Sequence, residues 1–124
     1  MSVSECKKIM IVEVDHATRA VLSAYIHEKR ANWLVFEAEN AYQAIEIAMQ
    51  ETIDYFTIDY YLPCLSGLNL IIELKRIHTP GKFVLLTSPL TDHLKTEIEV
   101  MSIEHLDKPV TSKIMNAMLR YFAA

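Results

Sequence analysis

Three short segments of this 124-residue chain each run into charge. Phe56-Thr57-Ile58-Asp59 is an apolar run closed by one carboxylate and followed by Tyr60-Tyr61-Leu62-Pro63. Ile9-Met10-Ile11-Val12 leads into Glu13-Val14-Asp15, and Glu104-His105-Leu106-Asp107 leads into Lys108-Pro109. An acid at the C-terminal tip of a buried strand lies where open α/β sheets place their chemistry, just outside the carboxyl ends of the strands. If the three ends meet there, they form an anionic pocket with carboxylate oxygens for a divalent metal and an ammonium for a phosphoryl group.

Such a meeting needs a scaffold, and the chain alternates β-rich runs with amphipathic stretches in five pairs. That alternation predicts an α/β fold, a doubly wound parallel sheet with helices on both faces. The strands are expected at about Lys8 to Val14, Trp33 to Glu37, Tyr55 to Asp59, Lys82 to Thr87 and Glu104 to Asp107. The first helix, about Ala17 to Arg30, would bury Ala17, Val21, Leu22, Tyr25 and Ile26 and turn Arg19 largely elsewhere. Asn40 with Gln43 resembles a capping box opening a helix that uses Ala44, Ile45, Ala48 and Met49. Ser66 caps a third helix carrying Leu68, Ile71, Ile72, Leu74 and Ile77, stopped by Pro80-Gly81. A fourth helix follows from about Asp92 to Met101. Thr111 caps a last one lined by Ile114, Met115, Met118, Leu119 and Phe122, and the methionines fit core faces better than a cofactor box.

Length and composition suit one domain, residues 1–124 with a core of about 8–122, able to bury a core without staples. The apolar runs fall far short of the roughly 20 residues a membrane helix needs. Met1-Ser2-Val3-Ser4-Glu5 lacks the basic-then-apolar layout of a signal peptide, so the expected location is the cytoplasm. A net charge of −4 disfavours nucleic acid as a partner. Cys6 and Cys64 form no C-x-x-C pair and read as reduced thiols. Gly67 and Gly81 are too few for a Gly-rich phosphate loop, and no other cofactor-binding motif is present. His16 has no second histidine at ligand spacing and reads as a loop residue.

At Asp59, Leu62-Pro63, Gly67, Thr87 and Lys108-Pro109 the chain resembles the bacterial response-regulator receiver domain, of the kind formed by stand-alone chemotaxis-type regulators. The resemblance covers about Lys8 to Phe122. It implies a flavodoxin-like sheet in the order 2-1-3-4-5, with the site at the point where the strand order reverses. It implies that Asp59 is the phosphoacceptor, that Lys108 contacts both Asp59 and the phosphoryl oxygens, and that the Thr87 hydroxyl donates to the phosphoryl group. Pro109 falls where the family commonly has a cis peptide bond. His105 stands at the switch aromatic, paired with Thr87. The domain would promote its own phosphorylation and dephosphorylation without being an enzyme toward a separate substrate.

The departures lie in the metal site. The resemblance implies two adjacent acids after the first strand, the second binding Mg²⁺ directly, and here the pair is Glu13-Val14. An isopropyl group offers magnesium no oxygen, so a weak Mg²⁺ site is expected, held by Glu13, Asp59, the Tyr61 backbone carbonyl and, as an alternative rescue, Asp15. The implied partners are a histidine kinase or phosphotransfer protein and a downstream protein docked on the face of the fourth helix, fifth strand and last helix. The alternative is a pseudo-receiver that binds partners without phosphorylation, its surface held in one state by Val14, Tyr61 and His105. An aspartate-nucleophile phosphatase would need a second acid where Tyr61 stands, and a flavin protein would need a phosphate loop that is absent.

Overall fold

The computed structural model describes residues 6–77 and 80–124. The reading of Met1-Ser2-Val3-Ser4-Glu5 lies outside them. In chain order the elements are β1 (Lys8–Val12), α1 (His16–Lys29), β2 (Leu34–Ala38), α2 (Ala41–Gln50), β3 (Tyr55–Asp59), α3 (Gly67–Arg76), β4 (Lys82–Thr87), α4 (Asp92–Val100), β5 (Glu104–Asp107) and α5 (Ser112–Ala123). All strand pairs are parallel, in the order β2-β1-β3-β4-β5. Three strands have the expected bounds. β1 stops two residues early, β2 lies one residue later, and His16 opens α1 instead of lying in a loop.

The strands alternate between two cores because successive side chains point to opposite faces. Met10, Val12, Phe56, Ile58, Phe83 and Leu85 pack with α2, α3 and α4 through Ala44, Ile71, Leu74 and Ile98. Ile9, Ile11, Val84 and Leu86 pack with Leu22 and Ile26 of α1 and Met115, Met118 and Phe122 of α5. Each fully buried Leu, Ile or Phe stabilises by about 1.5–3 kcal/mol. Both faces are therefore covered, which explains the near-continuous apolar runs of β1, β3 and β4.

Side-chain oxygens begin each helix. Asp15, Asn40, Ser66, Thr91 and Thr111 accept from the N–H of the third residue beyond. Gln43 returns its side chain to the N–H of Glu39, one residue before the cap, so the capping box closes one position wider than expected. The α1 face differs from the expected one. Leu22 and Ile26 are buried with Arg19, while Ala17 and Val21 are exposed. Positions 19, 22 and 26 share a face at the helical period, and the acceptors waiting for the guanidinium decide which face turns inward. Met49 and Ile77 also lie exposed, and α2 buries Ala41 and Ala44.

Candidate functional site

β1 and β3 end next to each other, and the backbone turns the same way after both. Asp15 N–H donates to Glu13 Oε2 at 3.1 Å, and Tyr61 N–H donates to Asp59 Oδ1 at 3.1 Å. The other oxygen of each carboxylate faces the Lys108 ammonium, 3.2 Å from Glu13 Oε1 and 3.1 Å from Asp59 Oδ2. Glu13 and Asp59 are buried and Lys108 is partly exposed. By strand alternation Glu13 continues the row Ile9-Ile11 and Asp59 continues Tyr55-Thr57, so both acids rise on the α1/α5 side of the sheet. The Lys108–Pro109 peptide is cis.

Two carboxylates thus share one ammonium in a buried mouth. Burial, reinforced by the neighbouring Asp59 carboxylate, holds Glu13 above the ordinary carboxylate range, against the opposing pull of the Asp15 N–H and Lys108. Burial alone would lower Lys108, but Asp59 and Glu13 outweigh it and raise the ammonium above its usual value. Glu13 Oε1 is buried and makes no hydrogen bond. The pocket therefore sets two buried carboxylates against a single ammonium, and among the described residues Lys108 is the one cation that faces Glu13 Oε1.

Asp59 is held from behind as well. Gly67, the first residue of α3, donates its N–H to the Tyr60 carbonyl at 2.8 Å. A Cβ on Gly67 would run into the Asp59 carbonyl oxygen and come within 2.9 Å of Leu85 Cδ1. Only glycine lets the start of α3 lie against the end of β3.

The remaining expected residues divide. Asp15 is exposed, and its carboxylate caps α1 through Thr18 N–H at 2.9 Å and the Thr18 hydroxyl at 2.6 Å, contacts that hold it below the usual range. Val14 leaves the sheet with 49% exposure, so it is not a core residue. Tyr61 is exposed, its ring edge-on to Tyr60 at 4.9 Å. Thr87 is fully buried on the other side of the sheet, in the row Phe83-Leu85, and its hydroxyl donates to Asp107 Oδ1 at 3.4 Å. His105 is half-buried beside it, opposite Leu85. The structure therefore brings Glu13, Asp59 and Lys108 together and places Thr87 and His105 in a second group facing α4.

Two participants escaped the sequence reading. Arg19 donates to the Glu13 carbonyl at 2.7 Å and pairs with Glu37 at 3.0 Å and Glu39 at 3.5 Å, with His16 Nδ1 at 3.2 Å. Its signal was the shared helical face with Leu22 and Ile26. Asp107 was treated as part of a strand end, although it is the residue directly before the lysine.

The profile of the response regulator receiver domain matches residues 9–120, and the chain belongs to that family. Among curated relatives, a cyclic di-GMP phosphodiesterase of Thermotoga maritima is 27% identical over 91% of this chain and 30% of its own length. Transcriptional regulatory protein YdfI of Bacillus subtilis is 32% identical over 87% of this chain, which spans 51% of that relative. Sporulation initiation phosphotransferase F of Bacillus subtilis is 24% identical over 93% of both chains. The structure of the response regulator TrrA of Thermotoga maritima, solved in complex with Mg²⁺-BeF, superposes with a TM-score of 0.78 at 20% identity, covering 94% of this chain and 98% of that one. At that identity the likeness shows the fold. Among the described residues no helix is long and apolar enough to cross a membrane.

Proposed function

We propose that Asp59 accepts a phosphoryl group from a histidine kinase or a phosphotransfer protein, and that the phosphorylated chain signals to a downstream protein through the α4-β5-α5 face. The observation that carries this is the convergence of Glu13, Asp59 and Lys108, with the ammonium within 3.2 Å of both acids. A carboxylate is a poor nucleophile toward an anionic phosphoryl group, so the reaction depends on neutralising the repulsion between them. One Asp59 oxygen forms the new O–P bond as the donor's P–N bond breaks, and the leaving imidazole keeps the electron pair. Lys108 stays in place to neutralise the transferred oxygens, and the Tyr61 N–H fixes the carboxylate for attack.

Glu13, Asp59 and the Tyr61 carbonyl would hold Mg²⁺, which when bound supplies positive charge to the phosphoryl oxygens. The buried Glu13 Oε1 without a hydrogen bond fits such an ion. We read the site as weak, because Val14 stands in place of an acid and the Asp15 carboxylate is engaged at the α1 cap. The cytoplasm is the compartment this reading requires, with Asp59 and its donor on the same side of the membrane.

The test is labelling by a small phosphodonor: Mg²⁺-dependent uptake by the wild type and none by Asp59→Asn. A wild type that takes up nothing at saturating Mg²⁺ removes the reading. A second reading, a phosphorylation-independent binding module, is favoured by the exposed Val14 and by a Thr87 hydroxyl turned toward Asp107. It expects Asp59→Ala to bind partner as the wild type does, and a large loss in a folded variant would count against it.

A further inference from the structure

The receiver resemblance makes the Thr87 hydroxyl a donor to the phosphoryl group, and in this structure that hydroxyl is turned to Asp107. Thr87 and Asp107 are direct partners in the β4/β5 register, and Lys108 N–H to the Thr87 carbonyl at 2.7 Å closes the two strands there. On the shared face, the hydroxyl of a fully buried threonine meets a carboxylate at 3.4 Å. A hydroxyl has one proton and gives it well to one acceptor at a time. The contact is long for an O–H···O bond, so it orients the hydroxyl without locking it. Asp107 itself is exposed at the end of β5, which leaves its carboxylate solvated and its removal harmless to the core.

We propose that Asp107 is a competing acceptor built into β5, a positioning residue that holds the Thr87 hydroxyl on the α4 side of the sheet until a phosphoryl oxygen on Asp59 takes it over. This rests on the phosphoacceptor reading and deepens it. Phosphorylation must break the Thr87–Asp107 contact to gain the Thr87–phosphoryl one, so the two states of the hydroxyl report on opposite faces of the sheet. The free chain is biased toward the unswitched arrangement by a side chain outside the Glu13, Asp59 and Lys108 cluster.

The experiment measures beryllofluoride affinity, a phosphoryl mimic, in the presence of Mg²⁺ for wild type, Asp107→Ala, Thr87→Val and the double variant. Asp107→Ala is expected to bind about 2-fold more tightly, the low end of what one net hydrogen bond is worth, because the contact is long and its acceptor is exposed. In the Thr87→Val background the same replacement is expected to gain nothing. An equal gain in both backgrounds would overturn the proposal in favour of simple charge repulsion, and no gain in either would overturn it outright. Three-bond couplings of the Thr87 methyl in the free protein give a second reading: one dominant χ1 rotamer in wild type and a measurably lower share of it in Asp107→Ala. Unchanged rotamers would also overturn it. Absence of beryllofluoride binding in all four proteins would instead remove the phosphoacceptor reading and this proposal with it, a result distinct from binding without a gain.

Discussion

Two charged clusters lie one strand end apart, and they are solved in opposite ways. Around Arg19, a buried guanidinium finds a backbone carbonyl, two glutamates and an imidazole, and the glutamates reach solvent with 45% and 61% of their side chains exposed. Around Lys108, two carboxylates with almost no exposure share one ammonium, and one of their oxygens makes no hydrogen bond. A buried charge with a full set of partners belongs to the framework. A buried pair of like charges sharing one counter-ion carries a cost in the fold, and on the proposed reading that cost is offset when a cation and a phosphoryl group enter. The clusters touch at Glu13, whose carbonyl serves the first and whose carboxylate serves the second.

The largest effect should come from breaking the satisfied cluster. Arg19→Met leaves the Glu13 carbonyl without its donor and should destabilise by about 2–4 kcal/mol, read as a lower urea midpoint with unchanged slope. If stability is unaltered, the first cluster is not framework. Gly67→Ala forces a methyl group against the Asp59 carbonyl and should cost about 1–3 kcal/mol by overpacking. It should also slow phosphoryl uptake, because the end of β3 must move; normal stability with normal uptake would show that α3 yields instead.

Breaking the unsatisfied cluster should have the opposite sign. Asp59→Asn removes one of two crowded carboxylates and should stabilise by about 1 kcal/mol while abolishing phosphorylation. Destabilisation would mean that the Asp59–Lys108 pair is worth more than the repulsion between the two acids.

The smallest effect is a pH dependence. A carboxyl held above 4.5 in the folded state binds protons more readily folded than unfolded, so Glu13 contributes stability below pH 4.5 that is lost as pH rises through its folded value. Glu13→Gln should flatten that fall in urea midpoints. Asp15, held below 3.8 by Thr18, works at lower pH with the reverse sign, its stability lost as pH falls through its folded value. An unaltered pH profile in Glu13→Gln would show that Lys108 already neutralises Glu13.

Much of this was legible in the chain. The change from apolar run to charge marks the end of β3 at Asp59, Ser88-Pro89 marks the end of β4, and Lys108-Pro109 marks the end of β5, which put Asp59 and Lys108 at the mouth. Two things were hidden. A helical wheel ranks positions by hydrophobicity and cannot turn an arginine inward without knowing that the Glu13 carbonyl and Glu37 wait across the interface. The side of the sheet on which a strand-end residue falls depends on pairing register, which no single segment carries. The resemblance assigns the Thr87 hydroxyl to the phosphoryl group, and no single segment could show that without one it meets Asp107.

The central claim is that the under-neutralised carboxylate at Asp59 is where a phosphoryl group lands. The most direct measurement exposes the protein to a small phosphodonor with Mg²⁺, reduces it with borohydride, and sequences the peptides by mass spectrometry, since borohydride converts an aspartyl phosphate to homoserine. The account predicts homoserine at position 59 and at no other aspartate. Homoserine elsewhere, or none in a protein that is folded and metal-loaded, would contradict it.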